Sequence, residues 1–400
     1  MSSLVYDVYY PSNYTNYATC PLPAVILFHA GGFQECSNFR QPGIVTICEE
    51  LAKRGYVVFC VEYRRGRIKE GMGSIYTSVQ QQLAAYRACQ DARGAIRSII
   101  KRQTFHSSFP EDNYQIDVSS IFIGGMSAGG VAAMNAAWYT DNMVYEVFSS
   151  ITTPTGSTIK QALGDINLNA YYGEPTIPYQ ESIIGTVNMW GSIAIPFEHD
   201  LDEYNFIENT ALLKPHIGFH GKSDNVFPYY DDDPQHKQYV YFNPPPTSGA
   251  PDYNSEDFCV DDTQGPYMLE GDPETPDLIN GSSLNMHKIL DFYEINNELY
   301  LDCNMRHGLD KNCGVCGTCP SGSTCFDNCN ICVFDSEFGT GVTNVNQVST
   351  YMAQRIAIFF QAVLVGIDQG LINYEFVECE NGRKKCETNP ACSNTACDIE

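Results

Sequence analysis

The sequence predicts an α/β protein: a mostly parallel central sheet with helices on both faces, plus a disulfide-rich insertion and tail. Three observations carry this. Apolar runs at 24–28, 56–61 and 121–123 alternate with helical stretches, the pattern of strands buried on both faces. A Gly-x-Ser-x-Gly pentapeptide, Gly125 to Gly129, joins the last of these runs to a small-residue helical stretch at 131–137. Eleven of the seventeen cysteines fall in the last hundred residues.

Composition narrows the class. Of 400 residues, 43% are apolar, enough for a sizeable core. No apolar run reaches the roughly 20 residues of a membrane span; the longest candidate, 356–367, is interrupted by Gln361. The formal charge of −25 repels phosphate backbones and anionic lipid, so neither nucleic acid nor a membrane surface is expected as a partner.

Taken in order, the alternation Leu4, Tyr6, Val8, Tyr10 fits an edge strand. Residues 24–28 form a buried strand ending in His29-Ala30-Gly31-Gly32-Phe33. A helix near 41–53, a strand at 56–61 and a long amphipathic helix over 78–102 follow, with Leu83, Tyr86, Cys89, Ile96 and Ile99 at helical spacing. The strand at 121 leads into the pentapeptide. Beyond it, 152–179 reads as irregular, and 183–191 and 216–221 read as strands.

Twelve acidic residues and Pro244-Pro245-Pro246 mark 231–280 as an acidic surface excursion. A helix at 284–293, a short strand at 298–301 and a helix at 348–366 complete the catalytic-domain reading, assigned to residues 1–370. The cysteine-rich insertion spans 309–335, and 371–400 is a cysteine-containing C-terminal tail.

The cysteines set the compartment. Cys303, Cys313, Cys316, Cys319, Cys325, Cys329 and Cys332, with Cys379, Cys386, Cys392 and Cys397, lie among turn-forming residues, as disulfides of a secreted protein do. An odd count leaves at least one thiol outside any intrachain pair. The spacing Cys313-x2-Cys316-x2-Cys319 also resembles zinc or iron–sulfur spacing. The absence of histidine within the cluster and the turn formers between its cysteines favour disulfides, so no metal and no cofactor is expected. Met1-Ser2-Ser3-Leu4 carries no signal-peptide pattern, so an exported form is expected to have lost its leader. The sequons at Asn13 and Asn280 permit glycosylation.

A serine hydroxyl needs a base, an orienting acid and donors for a developing oxyanion before it becomes an effective nucleophile. Ser127 sits where a tight strand-to-helix turn would lift it above the sheet, and side chains at 125 and 129 would collide across that turn. Asp224 follows an apolar strand 97 residues later, and His307 follows the next strand 83 residues further on. Each falls at a strand's carboxyl end, where open α/β sheets carry their sites. Asp200, Asp202 and Asp231 are rivals for the acid. Of the eight histidines, His307 alone follows the last strand and precedes a glycine. Backbone N–H groups of Gly31, Gly32 and Ala128 are the candidate oxyanion donors.

These segments resemble the α/β-hydrolase carboxylesterases with a His-Gly-Gly-Gly-type oxyanion loop, the branch of feruloyl-type esterases and dienelactone-hydrolase-like proteins. The resemblance rests on His29-Ala30-Gly31-Gly32-Phe33, 54–58, 90–95, Gly125-Met126-Ser127-Ala128-Gly129, 220–228 and His307-Gly308. Ala30 stands where the motif has glycine. The resemblance implies an α/β-hydrolase fold and ester hydrolysis through an acyl-enzyme, with Ser127 as nucleophile, Asp224 as acid and His307 as base. A small-molecule or polymeric ester is the expected substrate. A serine peptidase of the same fold and a non-catalytic binding protein on a hydrolase scaffold are the alternatives.

Overall fold

The computed structural model describes residues 4–12, 21–33, 39–64, 78–105, 108, 114–148, 156–167, 178–195, 207, 209–221, 224, 279–281, 283–302, 307 and 345–366. Its centre is a seven-stranded sheet. In chain order the strands are β1 (Tyr6–Tyr9), β2 (Leu22–Phe28), β3 (Val57–Val61), β4 (Ile116–Met126), β5 (Ile183–Met189), β7 (His216–Gly221) and β9 (Asn297–Asp302). Across the sheet they lie in the order β1-β3-β2-β4-β5-β7-β9. Within this sheet, among the described residues, β1 alone runs antiparallel to its neighbour and the other pairs are parallel. This is an α/β-hydrolase fold. The carboxyl ends of β2, β4, β7 and β9 therefore open on one edge, which is where the predicted site residues follow.

Alternation along each strand divides the core in two. Ala24, Ile26, Phe28, Val57, Phe59, Ile121 and Ile123 face one layer. That layer holds α2 (Ser78–Thr104) and α3 (Ala128–Trp138), with α4 (Asp141–Val147), α5 (Ile159–Leu163) and α6 (Ser283–Phe292) beside them. Val25, Leu27, Val58, Phe122, Val187 and Ile217 face the other, against α1 (Pro42–Lys53) and α7 (Val345–Leu364). Phe122 stacks on Phe360 of α7 with ring centroids 3.8 Å apart. Each such ring, fully buried, contributes on the order of 2–3 kcal/mol of apolar transfer free energy.

Helix α3 is apolar apart from Asn135, whose amide donates to Val131 O, and every residue from Ala128 to Trp138 is buried. Only small residues let a helix lie this close to a sheet. Gly130 abuts Asn188 and Gly191, where a Cβ would come within 2.5 Å of Asn188 Oδ1. A buried guanidinium ties α2 to the start of α4 in the same layer: Arg93 pairs with Asp141 and donates to Tyr139 O at 2.7 Å. Arg97 donates to Asn167 Oδ1 at 2.9 Å.

Three local readings are corrected. The strand expected at 121 begins at Ile116, because Leu22 and Ile116 pair beyond a register shift. The irregular stretch 152–179 contains α5, held by a capping box between Thr158 and Gln161. Residues 279 and 280, assigned to the acidic excursion, belong to β8 (Ile279–Gly281), which pairs antiparallel with β6 (Ile193–Ile195). Partners more than eighty residues away supply those hydrogen bonds, so no local signal announces them.

The remainder of the excursion, the insertion at 309–335 and the tail at 371–400 lie outside the described residues. So do all eleven cysteines read as staples. Among the described residues, Cys48, Cys60 and Cys89 are free thiols buried in the core. No helix among the described residues is long and apolar enough to cross a membrane.

Candidate active site

Ser127 occupies the turn from β4 into α3 with φ 51° and ψ −120°, a left-handed backbone that costs a residue with a side chain on the order of 1–3 kcal/mol. Its surroundings impose it. A Cβ on Gly125 would meet Gly129 C at 2.4 Å, and one on Gly129 would lie 2.3 Å from Phe28 O. Only hydrogen fits at either position, which is the collision expected from the pentapeptide. The Ser127 N–H donates to Met189 O of β5 at 2.7 Å, and Ser127 O accepts the first α3 bond from Val131 N–H at 3.0 Å. The hydroxyl is thus set by backbone on both sides.

The chain brings Ser127, His307 and Asp224 together. Ser127 Oγ lies 2.6 Å from His307 Nε2, and His307 Nδ1 lies 2.8 Å from Asp224 Oδ2. Asp224 is fully shielded while the His307 side chain keeps 18% exposure, so His307 reaches the solvent edge and Asp224 does not. Burial by itself would raise the Asp224 pKa. Attraction to His307 in its protonated form, with hydrogen bonds from His220 and His307, outweighs it and holds the carboxyl below the usual carboxylate range. An ionised carboxylate only accepts, so His307 carries its proton on Nδ1 and presents a bare Nε2 to the serine hydroxyl.

The loop after β2 meets this turn through its backbone. A Cβ on Gly129 would also lie 2.5 Å from His29 O, so the start of α3 and the glycine loop are in direct contact. The loop turns through positive φ at Gly31 (130°), Gly32 (58°) and Phe33 (61°). Glycine adopts such angles without penalty. Phe33 does not, and it is held by burial and by an edge-on contact with Tyr63.

Two further donors fasten the loop: Tyr63 OH to His29 O at 2.9 Å, and Gln41 Nε2 to Ala30 O at 3.0 Å. The His29 ring stacks on Tyr63 with centroids 4.2 Å apart. Ala128 opens α3, and the N–H groups of a first helical turn have no acceptor within the helix. That arrangement suits an oxyanion.

Sequence reasoning missed the supports. Tyr63 and Gln41 carry no motif, and His220 reads as the end of a strand. Yet His220 Nε2 lies 3.1 Å from Asp224 Oδ2. Among the described residues no group of three or more His, Cys, Asp or Glu side chains is arranged to hold a metal ion.

The BD-FAE family model matches residues 6–234. No curated protein matches the chain. Among solved structures, the chain is similar to a thermophilic esterase of the Planctomycetes species Thermogutta terrifontis with butyrate bound. The identity is 16% and the TM-score 0.43, over 89% of this chain and 88% of that one. The same esterase phosphorylated by paraoxon matches at 15% identity and a TM-score of 0.42, over 91% and 89%. Its native form matches at 16% and 0.40, over 92% and 90%. These likenesses are weak, and the fold rests on the sheet order and the family match.

Proposed function

Because the chain belongs to the BD-FAE family, among the carboxylesterases of the α/β-hydrolase superfamily, we propose that it cleaves carboxylic esters through an acyl-enzyme on Ser127. The observation that supports this most is the pair of short contacts in sequence, Ser127 Oγ to His307 Nε2 at 2.6 Å and His307 Nδ1 to Asp224 Oδ2 at 2.8 Å. In this reading His307 takes the hydroxyl proton while Oγ bonds to the ester carbon. The N–H groups of Gly31, Gly32 and Ala128 receive the oxyanion. As the tetrahedral intermediate collapses, the carbon–oxygen bond to the alcohol breaks and imidazolium returns its proton to the departing oxygen. Water, deprotonated by the same nitrogen, then attacks the acyl carbon. Ser127 leaves with the proton restored, and the acid is released.

The substrate is a small-molecule or polymeric ester, with acetyl, feruloyl, other aromatic and polyester esters as the candidates. The protein acts outside the cell. The late run of cysteines and the two sequons support that reading.

A fluorophosphonate probe tests the reaction. Folded protein is expected to be labelled at Ser127, with Ser127→Ala unlabelled and inactive on p-nitrophenyl acetate. Folded protein that is not labelled would overturn the enzyme reading and leave a binding protein on a hydrolase scaffold. Labelling combined with amide cleavage but no ester cleavage would point to a peptidase.

A further inference from the structure

The acid of the proposed triad is held by a second histidine. Asp224 Oδ2 lies 2.8 Å from His307 Nδ1 and 3.1 Å from His220 Nε2, and both His220 and Asp224 side chains are fully shielded from solvent. Behind His220 the contacts continue. Its Nδ1 lies 2.7 Å from Ser283 Oγ at the start of α6, and Ser283 Oγ lies 3.3 Å from Asn188 Nδ2 at the end of β5.

The direction of each hydrogen bond follows from the groups present. Gly191 N–H donates to Asn188 Oδ1 at 3.0 Å, and Asn188 Nδ2 donates to Gly191 O at 3.0 Å, which fixes the orientation of the amide. The Asn188 amide nitrogen therefore points its remaining hydrogen at Ser283 Oγ. Among the described residues the serine hydroxyl has two acceptors in reach, His220 Nδ1 at 2.7 Å and Gly191 O at 3.4 Å, and the nearer one takes it. His220 then carries its own proton on Nε2, aimed at the carboxylate. The opposite tautomer would set an imidazole lone pair against a buried carboxylate at 3.1 Å, which costs free energy without compensation.

We propose that His220 is a positioning residue: with its tautomer set by Ser283 and Asn188, it fixes Asp224 Oδ2 as the shared acceptor that orients His307. This rests on the catalytic reading above and extends it. His220 touches no reacting atom. It acts through Asp224, and it carries the site's rigidity into β5 and α6, which meet only in the folded protein. Carboxylate charge divided between two N–H donors is less available to either, so removing one donor strengthens the pull on the other. Facing this group are Asp224 and His307 on the site side, Ser283 and His287 from α6, and Asn188 from β5.

The experiment compares His220→Leu, His220→Gln and Ser283→Ala in the full chain, with fold checked by circular dichroism and thermal melting. Glutamine places an amide N–H near the histidine Nε2, so it retains the donor to Asp224. His220→Leu is expected to lower kcat about 10- to 100-fold with KM within about threefold, and to move the acidic limb of the kcat/KM profile upward by about half a pH unit or more. His220→Gln is expected to recover most of kcat. Ser283→Ala, which frees the tautomer, should fall between the two.

Folded His220→Leu with wild-type kcat, or with an unmoved acidic limb, would overturn the proposal. If His220→Leu fails to fold, a His220→Gln no better than Ser283→Ala would overturn it as well. Fluorophosphonate labelling separates the two readings. Unlabelled wild type removes the catalytic reading itself, whereas wild type and His220→Leu labelled at equal rates removes only the positioning role.

Discussion

Gly218 lies directly beneath His287: a Cβ at position 218 would come within 2.6 Å of His287 Nε2. On one face of β7 the residues are His216, Gly218 and His220, and the absence of a side chain in the middle makes room for the α6 histidine. The His216 and His287 rings are 5.1 Å apart. This strand face thus carries a row of buried imidazoles running toward Asp224.

Gly218→Ala is expected to destabilise the fold by about 1–3 kcal/mol, because His287 is locked by Asn297 and cannot withdraw without losing that bond. Urea unfolding monitored by tryptophan fluorescence measures it. A midpoint unchanged from wild type would mean that α6 slides away freely.

The same row predicts an acid-sensitive stability. Burial depresses both His216 and His287, and the charge of His287 lowers His216 further. For His287 the hydrogen bond to Asn297 works against burial, and the result is a pKa of about 4 against the ordinary 6.5. Between these values the unfolded chain binds protons that the folded chain does not, so stability is present above pH 6.5 and falls as pH drops toward 4. Urea midpoints at pH 7 and pH 5 should differ, and His287→Gln should flatten the difference.

Gly129→Ala is expected to abolish fluorophosphonate labelling. Its methyl group would face two backbone carbonyl oxygens, Phe28 O and His29 O, rather than movable side chains. Relief requires shifting either the turn at Ser127 or the glycine loop, and a misplacement of about 1 Å in a reacting group costs on the order of 100-fold in rate. Labelling kinetics on soluble, folded variant protein give the measurement.

Tyr63→Phe keeps the ring that stacks on His29 and removes only the hydroxyl that donates to His29 O. A buried carbonyl losing its donor costs roughly 1–3 kcal/mol. The expected outcome is a lower melting temperature together with a kcat loss of several-fold, since the loop carrying Gly31 and Gly32 loosens. A kcat equal to wild type would separate the loop's order from its proposed oxyanion role.

Asp224→Asn keeps the shape of the side chain and removes its charge. An amide oxygen at the Oδ2 position still accepts, but it does not stabilise the imidazolium that forms at His307 as a carboxylate does. The expected drop in kcat is on the order of 10³–10⁴ with little change in KM. Steady-state kinetics on p-nitrophenyl acetate read it directly.

Much of the scaffold was legible in the chain because its signals are local. The runs at 24–28 and 57–61 are apolar throughout, since each must bury both faces, and they became β2 and β3. The crowding at Gly125, Ser127 and Gly129 acts within five residues, so the pentapeptide announced the turn before any partner was known. Asp224 and His307 could be singled out because parallel strands deliver the residues that follow them to one edge.

The tertiary structure decided what those residues are held by. His220 and Ser283 are 63 positions apart, and Asn188 and Ser283 are 95 apart. Nothing in the surroundings of any one of them marks the others as a partner. β6 and β8 found each other across a similar gap. A side chain's steric preferences are set by its neighbours in sequence, but a hydrogen bond's partner is set by the register of packed strands and helices, which exists only once the core has closed.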